Sequence, residues 1–339
     1  MKNNKYHSHS RRKTPWDEEE EEVSDIASFV RDEYRSHYFY HHHPLSETRD
    51  SELLNKFIPQ SCPYCHGTQY KRNGHTTYGL QKYKCIDCKR NFTITTGTIF
   101  QDHKLSISEW IEYLLNLFGY SSINLNSKMN KNSETTSKYW LAKIFMLLSD
   151  YQKDIILSDC VMIDETYYSV IKSDIITKDK KKLRGLSKNK YCIGIGCDEQ
   201  YLYCKLEGKA KTSDTKTLQT FKEHIRPYSH LIHDDEKLHH SLVHALQLRS
   251  ESCKSTYLSE LNDKENPLDK INHYCDLLKK FLNAHLGFNR EELQGYLNLF
   301  SFMMNPPHNK LEKVEILLKF ALNYRKTMTF RSYYMKNPH

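Results

Sequence analysis

Apolar residues recur at helical spacing in the middle of this 339-residue chain. The stretch "ISEWIEYLLNLFGY" ends near Gly119, and "NSETTSKYWLAKIFMLLSDYQ" follows after a short polar segment. Spacings of three and four residues place apolar side chains on one face of a helix. Asn132 or Ser133 can cap the later helix, because their side chains accept hydrogen bonds from the free N–H groups of a first turn. The pattern predicts a helix, a short helix and a third helix within residues 105–152.

After residue 153 the apolar runs become short, which is typical of strands. "CVMIDETYYSV" predicts one strand, "KYCIGIGCDEQYLYCKLEG" a hairpin and "HLIHDDE" a further strand. Between the hairpin and the last strand, "SDTKTLQTFKEHIRP" predicts a helix with Ser213 as its cap. A looser region extends to about residue 265. Two helices follow, one from Asn266 to Gly287 and one that begins at a capping box of Asn289 and Glu292.

The changes of hydrophobic pattern along the chain predict an α+β multidomain protein with five segments. They are an N-terminal extension (1–58), a cysteine-rich segment (59–104), a helical segment (105–152), an α+β segment (153–305) and a C-terminal tail (306–339). Six consecutive acidic residues at 17–22 indicate that the extension is solvated and partly disordered. No apolar run is as long as a transmembrane helix, and the N-terminus lacks the apolar region of a signal peptide. We therefore expect a cytoplasmic protein that does not enter a membrane.

Four of the ten cysteines form two pairs, "CPYC" at 62–65 and "CIDC" at 85–88, separated by 19 residues. Two such turns let four thiolates reach one tetrahedral Zn²⁺ ion. The sequence therefore predicts a zinc ribbon whose structural zinc is bound by Cys62, Cys65, Cys85 and Cys88. The other cysteines are scattered, several of them in apolar segments, as expected of buried thiols in a reducing compartment.

The formal net charge of +8 permits a polyanionic partner without proving one. Basic side chains of the ribbon are candidates for contact with DNA phosphates: Lys71, Arg72, Lys82, Lys89 and Arg90. Lys138 lies with Thr135 and Ser137 at the start of the third predicted helix, the recognition position of a helix-turn-helix. Arg184 lies in a basic segment, 178–190, that would follow the DNA backbone. The alternatives are a solvated basic face for the ribbon, a plain helical linker for the helical segment and a mobile surface loop for residues 178–190.

Two of the predicted strands end in carboxylates. Asp164 follows "VMI", and Asp234 and Asp235 follow "LIH". A carboxylate beside an apolar strand is costly unless it is solvated, paired or bound to a cation. Strand ends can converge at one edge of a sheet, where a hard divalent ion such as Mg²⁺ takes oxygen ligands. Aspartates that only cap turns are the alternative.

The order of these elements resembles that of a ribonuclease-H-like fold, and the chain resembles insertion-sequence transposases of the DDE class with an N-terminal zinc ribbon. The resemblance covers residues 58–305 and is carried by "CPYC…QKYKCIDCKRNFTITTGTIF", "MIDETYYSV", "RGLSKNKYCIGIGCDEQ", "LIHDDEKLHHSLV" and "INHYCDLLKKFLNAHLGFNREELQGYLNLFSFMMN". It implies a zinc ribbon, a helix-turn-helix-like helical segment and a ribonuclease-H-like catalytic domain. It also implies a transposase that uses Mg²⁺ or Mn²⁺ to cleave DNA at the ends of its element and to join them to target DNA. The implied partners are the terminal inverted repeats, target DNA and further copies of the chain.

By position, the resemblance implies that Asp164 and Asp234 are the first two metal ligands. Asp235 falls where relatives often have glycine. Asn272 stands 38 positions after Asp234, where some zinc-ribbon members of this class have asparagine in place of the third acid. Lys279 falls where such enzymes carry a basic residue.

The helical pattern agrees with roles for Asn272 and Lys279. Residues seven apart lie on one face of a helix, about 10.5 Å apart along the axis. From there Asn272 can offer its amide oxygen to Mg²⁺, and Lys279 can reach a DNA phosphate. Rival third ligands are Glu265, Asp269 and Asp276, and a solvated face with an Asp276–Lys279 pair is the alternative. The alternative function is a non-catalytic DNA-binding protein derived from a transposase; a zinc ribbon that binds proteins is a third.

Overall fold

The described part of the chain begins within the predicted N-terminal extension. The computed structural model describes residues 50–101, 107–169, 190–234, 237–253 and 265–336. The first helix, α1 (Asp50–Leu54), precedes the cysteine-rich segment. Its Asp50 carboxylate is buried and accepts a hydrogen bond of 2.5 Å from the N–H of Ile107, which starts the next long helix. Leu54 belongs to the larger hydrophobic core, so this end of the extension packs on the rest of the chain.

The cysteine-rich segment forms a three-stranded antiparallel sheet with its second strand in the centre. The strands are β1 (Tyr70–His75), β2 (Gln81–Cys85) and β3 (Asn91–Phe92). The rings of Tyr83 and Phe92 stack with centroids 5.6 Å apart, and together with two cysteines they make up its small core. A core of this size contributes little stability, which is the situation in which a structural metal supplies folding energy.

Three helices follow at the predicted places: α2 (Ile107–Phe118), α3 (Ile123–Met129) and α4 (Glu134–Leu147). The hydroxyl of Ser133 accepts a hydrogen bond of 3.1 Å from the N–H of Thr136, which makes it the cap of α4. The three predicted helices are therefore confirmed as helices. Their use as a DNA-binding helix-turn-helix stays a prediction.

A mixed sheet lies at the centre of the fold. Its strands are β4 (Cys160–Tyr168), β5 (Tyr191–Cys197), β6 (Leu202–Lys209), β7 (His230–Asp234) and β8 (Arg249–Cys253). They lie in the order β6-β5-β4-β7-β8. β5 runs antiparallel to its neighbours β4 and β6, whereas β4, β7 and β8 run parallel to one another. This order and these directions agree with the predicted ribonuclease-H-like arrangement, and the predicted hairpin is β5–β6.

Two elements lie in the region that we expected to be loose. They are α6 (His240–Leu246) and the edge strand β8, and they follow α5 (Asp214–Phe221), which has the predicted Ser213 cap. Four of the five side chains of β8 are exposed, so this strand shows no alternation of apolar and polar residues. An edge strand of this kind leaves little hydrophobic signal, and α6 is only seven residues long.

Helices cover both faces of the sheet. The helices α7 (Asp269–Ala284) and α8 (Leu293–Met304) pack on one face and share the larger core with α2 and α4. On the other face, α5 approaches β5 closely, because a Cβ on Gly196 would lie only 2.9 Å from atoms of both Phe221 and Leu157. The helical segment and one face of the sheet are therefore parts of the same hydrophobic core.

The ends of α7 and the start of α8 differ slightly from the predicted bounds. The predicted first residue, Asn266, accepts a hydrogen bond of 2.9 Å from the N–H of Leu268, and the helix itself begins at Asp269. The predicted capping box of Asn289 and Glu292 is present, where it closes a short 3₁₀ turn that leads into α8.

The segment predicted as a C-terminal tail contains two packed helices, α9 (Lys310–Asn323) and α10 (Phe330–Lys336). Apolar residues of α9 enter the larger core. Between the helices, the Arg325 guanidinium donates to the carbonyls of Ile94 (3.4 Å) and Thr96 (2.8 Å), which follow the ribbon sheet. This segment therefore connects the ribbon to the rest of the fold.

Candidate active site and metal centres

The four predicted zinc ligands meet at one point of the ribbon. Their sulfur atoms all lie within 4.8 Å of one another. The Sγ atoms of Cys62 and Cys88 are 3.6 Å apart, and those of Cys65 and Cys85 are 3.5 Å apart. A tetrahedral Zn²⁺ ion with bonds of about 2.3 Å separates its sulfur ligands by about 3.8 Å. The cysteine cluster therefore fits one tetrahedral zinc ion.

The backbone of both CxxC turns is shaped alike. Each pair is followed by a residue in the left-handed region, His66 (φ 60°) and Lys89 (φ 61°). The N–H of the first cysteine of each pair donates to the carbonyl five residues later. In the second turn, the N–H of Cys88 points at the sulfur of Cys85 and lowers its pKa to about 7. N–H groups directed at a sulfur favour the thiolate, which is the form that binds a metal.

One face of the ribbon sheet is basic. Lys71 of β1 lies directly opposite Lys84 of β2, and Lys82 lies on the same face of β2 as Lys84 because side chains alternate along a strand. Like charges in a cross-strand pair destabilise it, so an anion on this face would relieve the repulsion. Of the five ribbon residues predicted to contact DNA, four are exposed and Lys82 is half-buried.

The start of α4, where DNA contact was also predicted, is largely covered. Ser137 is fully buried, and its carbonyl accepts a hydrogen bond of 2.8 Å from the hydroxyl of Tyr113. The hydroxyl of Tyr334 donates to the carbonyl of Thr135 at 3.0 Å. Lys138 is half-buried. Less of this helix is open to DNA than the sequence suggested, because α2 and α10 pack against it.

The two predicted metal-binding aspartates lie on neighbouring parallel strands. Met162 of β4 is opposite Ile232 of β7, and the same register continued by two residues places Asp164 beside Asp234. Registered residues of parallel strands point to the same face, and the strands lie about 4.8 Å apart. Asp164 faces α7, whose Cys275 thiol donates to it. Asp234 ends β7, and a carboxylate oxygen of it lies within 4.8 Å of ring nitrogens of His233 and His239.

Asp164 is a half-buried carboxylate with a perturbed acidity. Burial raises its pKa above the ordinary value, although the N–H of Glu165 (2.8 Å) and the thiol of Cys275 (3.4 Å) donate to it and offset part of this effect. Cys275, on α7, is a contact that the sequence analysis missed. Because the Asp164 carboxylate raises the pKa of the Cys275 thiol in addition to burial, the thiol keeps its proton.

The pair of aspartates suits a divalent cation. Oδ1 of Asp234 is buried and Asp164 is half-buried, so both carboxylates are partly removed from water. Two like charges in such a place repel each other unless a cation lies between them. Carboxylate oxygens are the ligands that Mg²⁺ and Mn²⁺ prefer. The residues present therefore fit the metal that the sequence implied.

The helix α7 brings its other predicted site residues to different places. Lys279 lies one turn beyond Cys275, and its charge acts on Asp164. Asn272 is exposed, one turn before Cys275. Asp276 is 70% exposed, and its Oδ1 lies 3.8 Å from the Lys279 Nζ. Lys279 is thus directed towards the aspartates, whereas the choice between Asn272 and Asp276 as third ligand stays open.

A buried histidine pair on the other face of the sheet was not predicted. Nε2 of His239 is 3.2 Å from Oε1 of Glu165, and Nδ1 of His239 is 2.9 Å from Nδ1 of His233. Nε2 of His233 is 2.8 Å from the hydroxyl of Ser250. Burial lowers the pKa of His239, but the hydrogen bond and the charge of Glu165 outweigh it, so the pKa is raised. The available sequence signal was the two histidines that flank the second carboxylate in "HDDEKLHH".

Some predicted residues lie outside the described part of the chain. These are Asp235, Arg184 and all of the basic segment 178–190 except its last residue. Their predicted roles therefore stay predictions. Within the described ranges, no helix is both long enough and apolar enough to cross a membrane.

Comparison with known proteins identifies a relative in a mobile element. The chain is 22% identical over 289 residues to an uncharacterized protein in transposable element ISH50 of Halobacterium salinarum. The matched region covers 76% of this chain and 90% of the relative. This relative confirms the predicted relationship to proteins of insertion-sequence elements. No protein-family model matches the chain.

Among solved structures, three examples illustrate the similarity found. The Mos1 strand transfer complex has a TM-score of 0.31 and 12% identity, covering 62% of this chain and 74% of that one. The catalytic domain of Mos1 mariner transposase has a TM-score of 0.30 and 15% identity, covering 54% and 92%. A simian T-cell lymphotropic virus intasome in complex with the PP2A regulatory subunit B56 gamma has a TM-score of 0.30 and 10% identity, covering 58% and 69%. TM-scores of this size do not establish a shared fold.

The half-buried carboxylate predicts a stability effect. Because the folded-state pKa of Asp164 is raised, the charged form costs stability at neutral pH, and this cost disappears as the pH falls below both pKa values. We expect Asp164→Asn to increase the free energy of unfolding by about 0.5–2 kcal/mol at pH 7, a common size for relief of a site strained for function. The gain should shrink towards pH 4. Denaturant unfolding without added divalent cation measures both values.

The matched control for this effect is Asp276→Asn, since Asp276 is largely exposed and faces Lys279. It should change the free energy of unfolding by less than about 0.5 kcal/mol. A loss of stability in Asp164→Asn at pH 7 would contradict the assignment of Asp164 as a destabilising, half-buried charge.

Proposed function

We propose that this chain is a DNA transposase that cleaves the ends of its element and joins them to target DNA in a reaction that requires Mg²⁺ or Mn²⁺. The observation that best supports the proposal is that Asp164 lies on β4 and Asp234 on the adjacent parallel strand β7. The relative in transposable element ISH50 supports the same function independently. The order of strands around the two aspartates is also the one that the resemblance to DDE transposases implied.

In this proposal Asp164 and Asp234 bind the cation through their carboxylates. A cation bound there activates an attacking water or 3′ hydroxyl and stabilises the charge on the leaving oxygen. Lys279 contacts a DNA phosphate near the reacting bond, because its ammonium group is partly exposed and lies on the same side of α7 as Cys275. Asn272 completes the metal site with its amide oxygen, and Asp276 is its rival.

The ribbon and the helical segment serve DNA binding in this proposal. Zinc held by the four cysteines stabilises the ribbon. The two positive charges of Lys71 and Lys84, which face each other across the strands, favour a phosphate backbone on that face. Lys138 and Arg184 are assigned to DNA contact by the sequence pattern. Because two element ends have to be joined, we expect a homo-oligomer. DNA in the cytoplasm, or in the nucleoid of a bacterium, is the expected place of action.

The first test is cleavage of DNA that carries the terminal inverted repeats of the element, with Mg²⁺ or Mn²⁺. Removing a carboxylate that binds the cation takes away charge stabilisation in the transition state, so Asp164→Ala and Asp234→Ala should each lower the cleavage rate about 10²- to 10³-fold or more. Asp154→Ala changes an exposed aspartate near β4 and should leave the rate unchanged. If both active-site variants cleave normally, the proposed site is wrong. If the wild type binds these ends but does not cleave them, the chain is a non-catalytic DNA-binding protein.

A second comparison decides the third ligand. Asn272→Ala should abolish cleavage, whereas Asp276→Ala should reduce it less than about tenfold, because its carboxylate pairs with Lys279 on an exposed surface. Rates for the two variants at several Mg²⁺ concentrations measure this difference. The reverse order of effects would move the third ligand one turn along α7.

The ribbon gives a separate prediction about zinc. The purified chain should contain one zinc ion, and Cys65→Ser should remove most of it, because three thiolates form an incomplete tetrahedral site. Loss of zinc should lower DNA affinity as well. Elemental analysis measures the zinc content and a DNA-binding titration measures the affinity. Cys160→Ser, a change on β4 outside the ribbon, is the control, and a zinc content unaffected by Cys65→Ser would refute the assignment.

A further inference from the structure

The sequence neighbours of the two candidate metal ligands are joined to each other on the far face of the sheet. Glu165 follows Asp164 on β4, and His233 precedes Asp234 on β7. Because side chains alternate along a strand, both neighbours point away from α7. His239 lies between them, 3.2 Å from Glu165 and 2.9 Å from His233. One side chain thus bridges the strands that carry the two carboxylates, and a ring nitrogen of it lies within 4.8 Å of a carboxylate oxygen of Asp234.

We propose that His239 is a positioning residue that sets the separation and orientation of the Asp164 and Asp234 carboxylates for a divalent cation. The inference rests on the proposed metal-dependent function and goes beyond it by assigning a residue that no resemblance implied. His239 belongs to the 3₁₀ turn that follows β7, so its bond to Glu165 ties the chain just beyond Asp234 to the strand of Asp164.

The hydrogen bonds fix the donors at two points of the bridge. A carboxylate only accepts, so the Nε2–H of His239 donates to Glu165. A main-chain carbonyl also only accepts, so the Nδ1–H of His233 donates to the carbonyl of Asp234 at 2.5 Å. The bridge therefore holds the backbone of Asp234 itself. This contact links the histidine pair to the direction in which the Asp234 side chain leaves the strand.

Direct metal binding by the two histidines is disfavoured by the same contacts. His233, Asp234 and His239 have ligand atoms within 4.8 Å of one another, a spacing compatible with a metal. However, each of the four ring nitrogens already has a protein partner: His239 bonds to Glu165 and His233, and His233 also bonds to Ser250 and the Asp234 carbonyl. A metal ligand needs a free nitrogen lone pair. The geometry therefore favours a supporting role behind the site.

Burial makes the bridge rigid. The side chain of His239 is fully buried and that of Glu165 is 5% exposed. Thr217 of α5 also directs its hydroxyl to Glu165 at 3.4 Å. Buried polar networks that are fully satisfied hold one geometry, because breaking any member leaves a buried group without a partner. Residues that support metal ligands in this way commonly change metal affinity 10- to 100-fold when they are replaced.

The test measures Mn²⁺ binding to the full-length, zinc-loaded chain by the EPR signal of free Mn²⁺, without DNA. A Mn²⁺-binding site that is present in the wild type and lost in Asp164→Asn is the proposed centre. We expect His239→Ala to weaken Mn²⁺ binding there by about 10- to 100-fold. His239→Gln should recover part of the affinity, because its amide N–H can still donate to Glu165. His240→Ala changes an exposed neighbour and should have no effect.

An unchanged Mn²⁺ affinity in His239→Ala would overturn the positioning role and leave the bridge with a purely structural one. A loss as complete as that of Asp164→Asn, with no recovery in His239→Gln, would also overturn it, since His239 would then be a ligand. If His239→Ala does not fold, Glu165→Gln decides: it keeps the shape of the bridge but not its charge, and it should weaken binding in the same direction. Unchanged binding in Glu165→Gln would count against the proposal.

The outcome for the wild type separates this inference from the proposed function. Mn²⁺ binding that depends on Asp164 but not on His239 overturns only the positioning role. If no Mn²⁺ binding depends on Asp164, the proposed metal site does not exist, and the transposase proposal fails with it.

Discussion

The register between β4 and β7 is the constraint on which the proposed site depends. Continued two residues beyond the pair Met162 and Ile232, it aligns Asp164 with Asp234. A shift of one residue would turn one of them to the opposite face, because strand side chains alternate. The apolar residues of the two strands prevent such a shift. Ile163 and Leu231 are buried against α5 and α6, whereas Ile232 faces the larger core, so the hydrophobic pattern and the site specify the same register.

The side chains of β4 and β7 have different surroundings on the two faces of the sheet. On one face, α7 packs on β4 and supplies Cys275 and Lys279, which act on Asp164 in different ways. On the other face, the histidine pair and Glu165 form a buried polar network. Two carboxylates partly removed from water are a cost to folding that the surrounding core has to offset. Carboxylates that lower folding stability without a cation, next to a buried polar network that holds their strands, are the arrangement expected of a functional metal centre.

Some parts of this arrangement follow from local sequence, and others from packing. The spacing of the two CxxC pairs predicts that their four sulfur atoms lie together, because four thiols at that spacing commonly bind one zinc ion. The strands of Asp164 and Asp234 carry strong apolar runs, and β5 of the hairpin is buried along its whole length. In contrast, β8 exposes polar side chains at a sheet edge, so its sequence resembles a loop. Ser137 was predicted at the recognition position but is buried, because α2, whose Tyr113 hydroxyl donates to its carbonyl, packs on it from an earlier part of the chain.

The contacts of Cys275 and His239 were beyond the reach of sequence reasoning for a related reason. Each becomes meaningful only when α7 or the turn after β7 is docked on the sheet, and periodicity does not specify the rotation of a docked helix. The same rotation leaves the third ligand undecided between Asn272 and Asp276, which are neighbours on one helical face.

The most direct test of the central claim is a crystal structure of the full-length chain soaked with Mn²⁺, with the ion located by its anomalous scattering. The account predicts one strong peak bonded to carboxylate oxygens of both Asp164 and Asp234, on the side of the sheet covered by α7. A peak bound elsewhere, or two aspartates whose side chains point to different faces of the sheet, would contradict it.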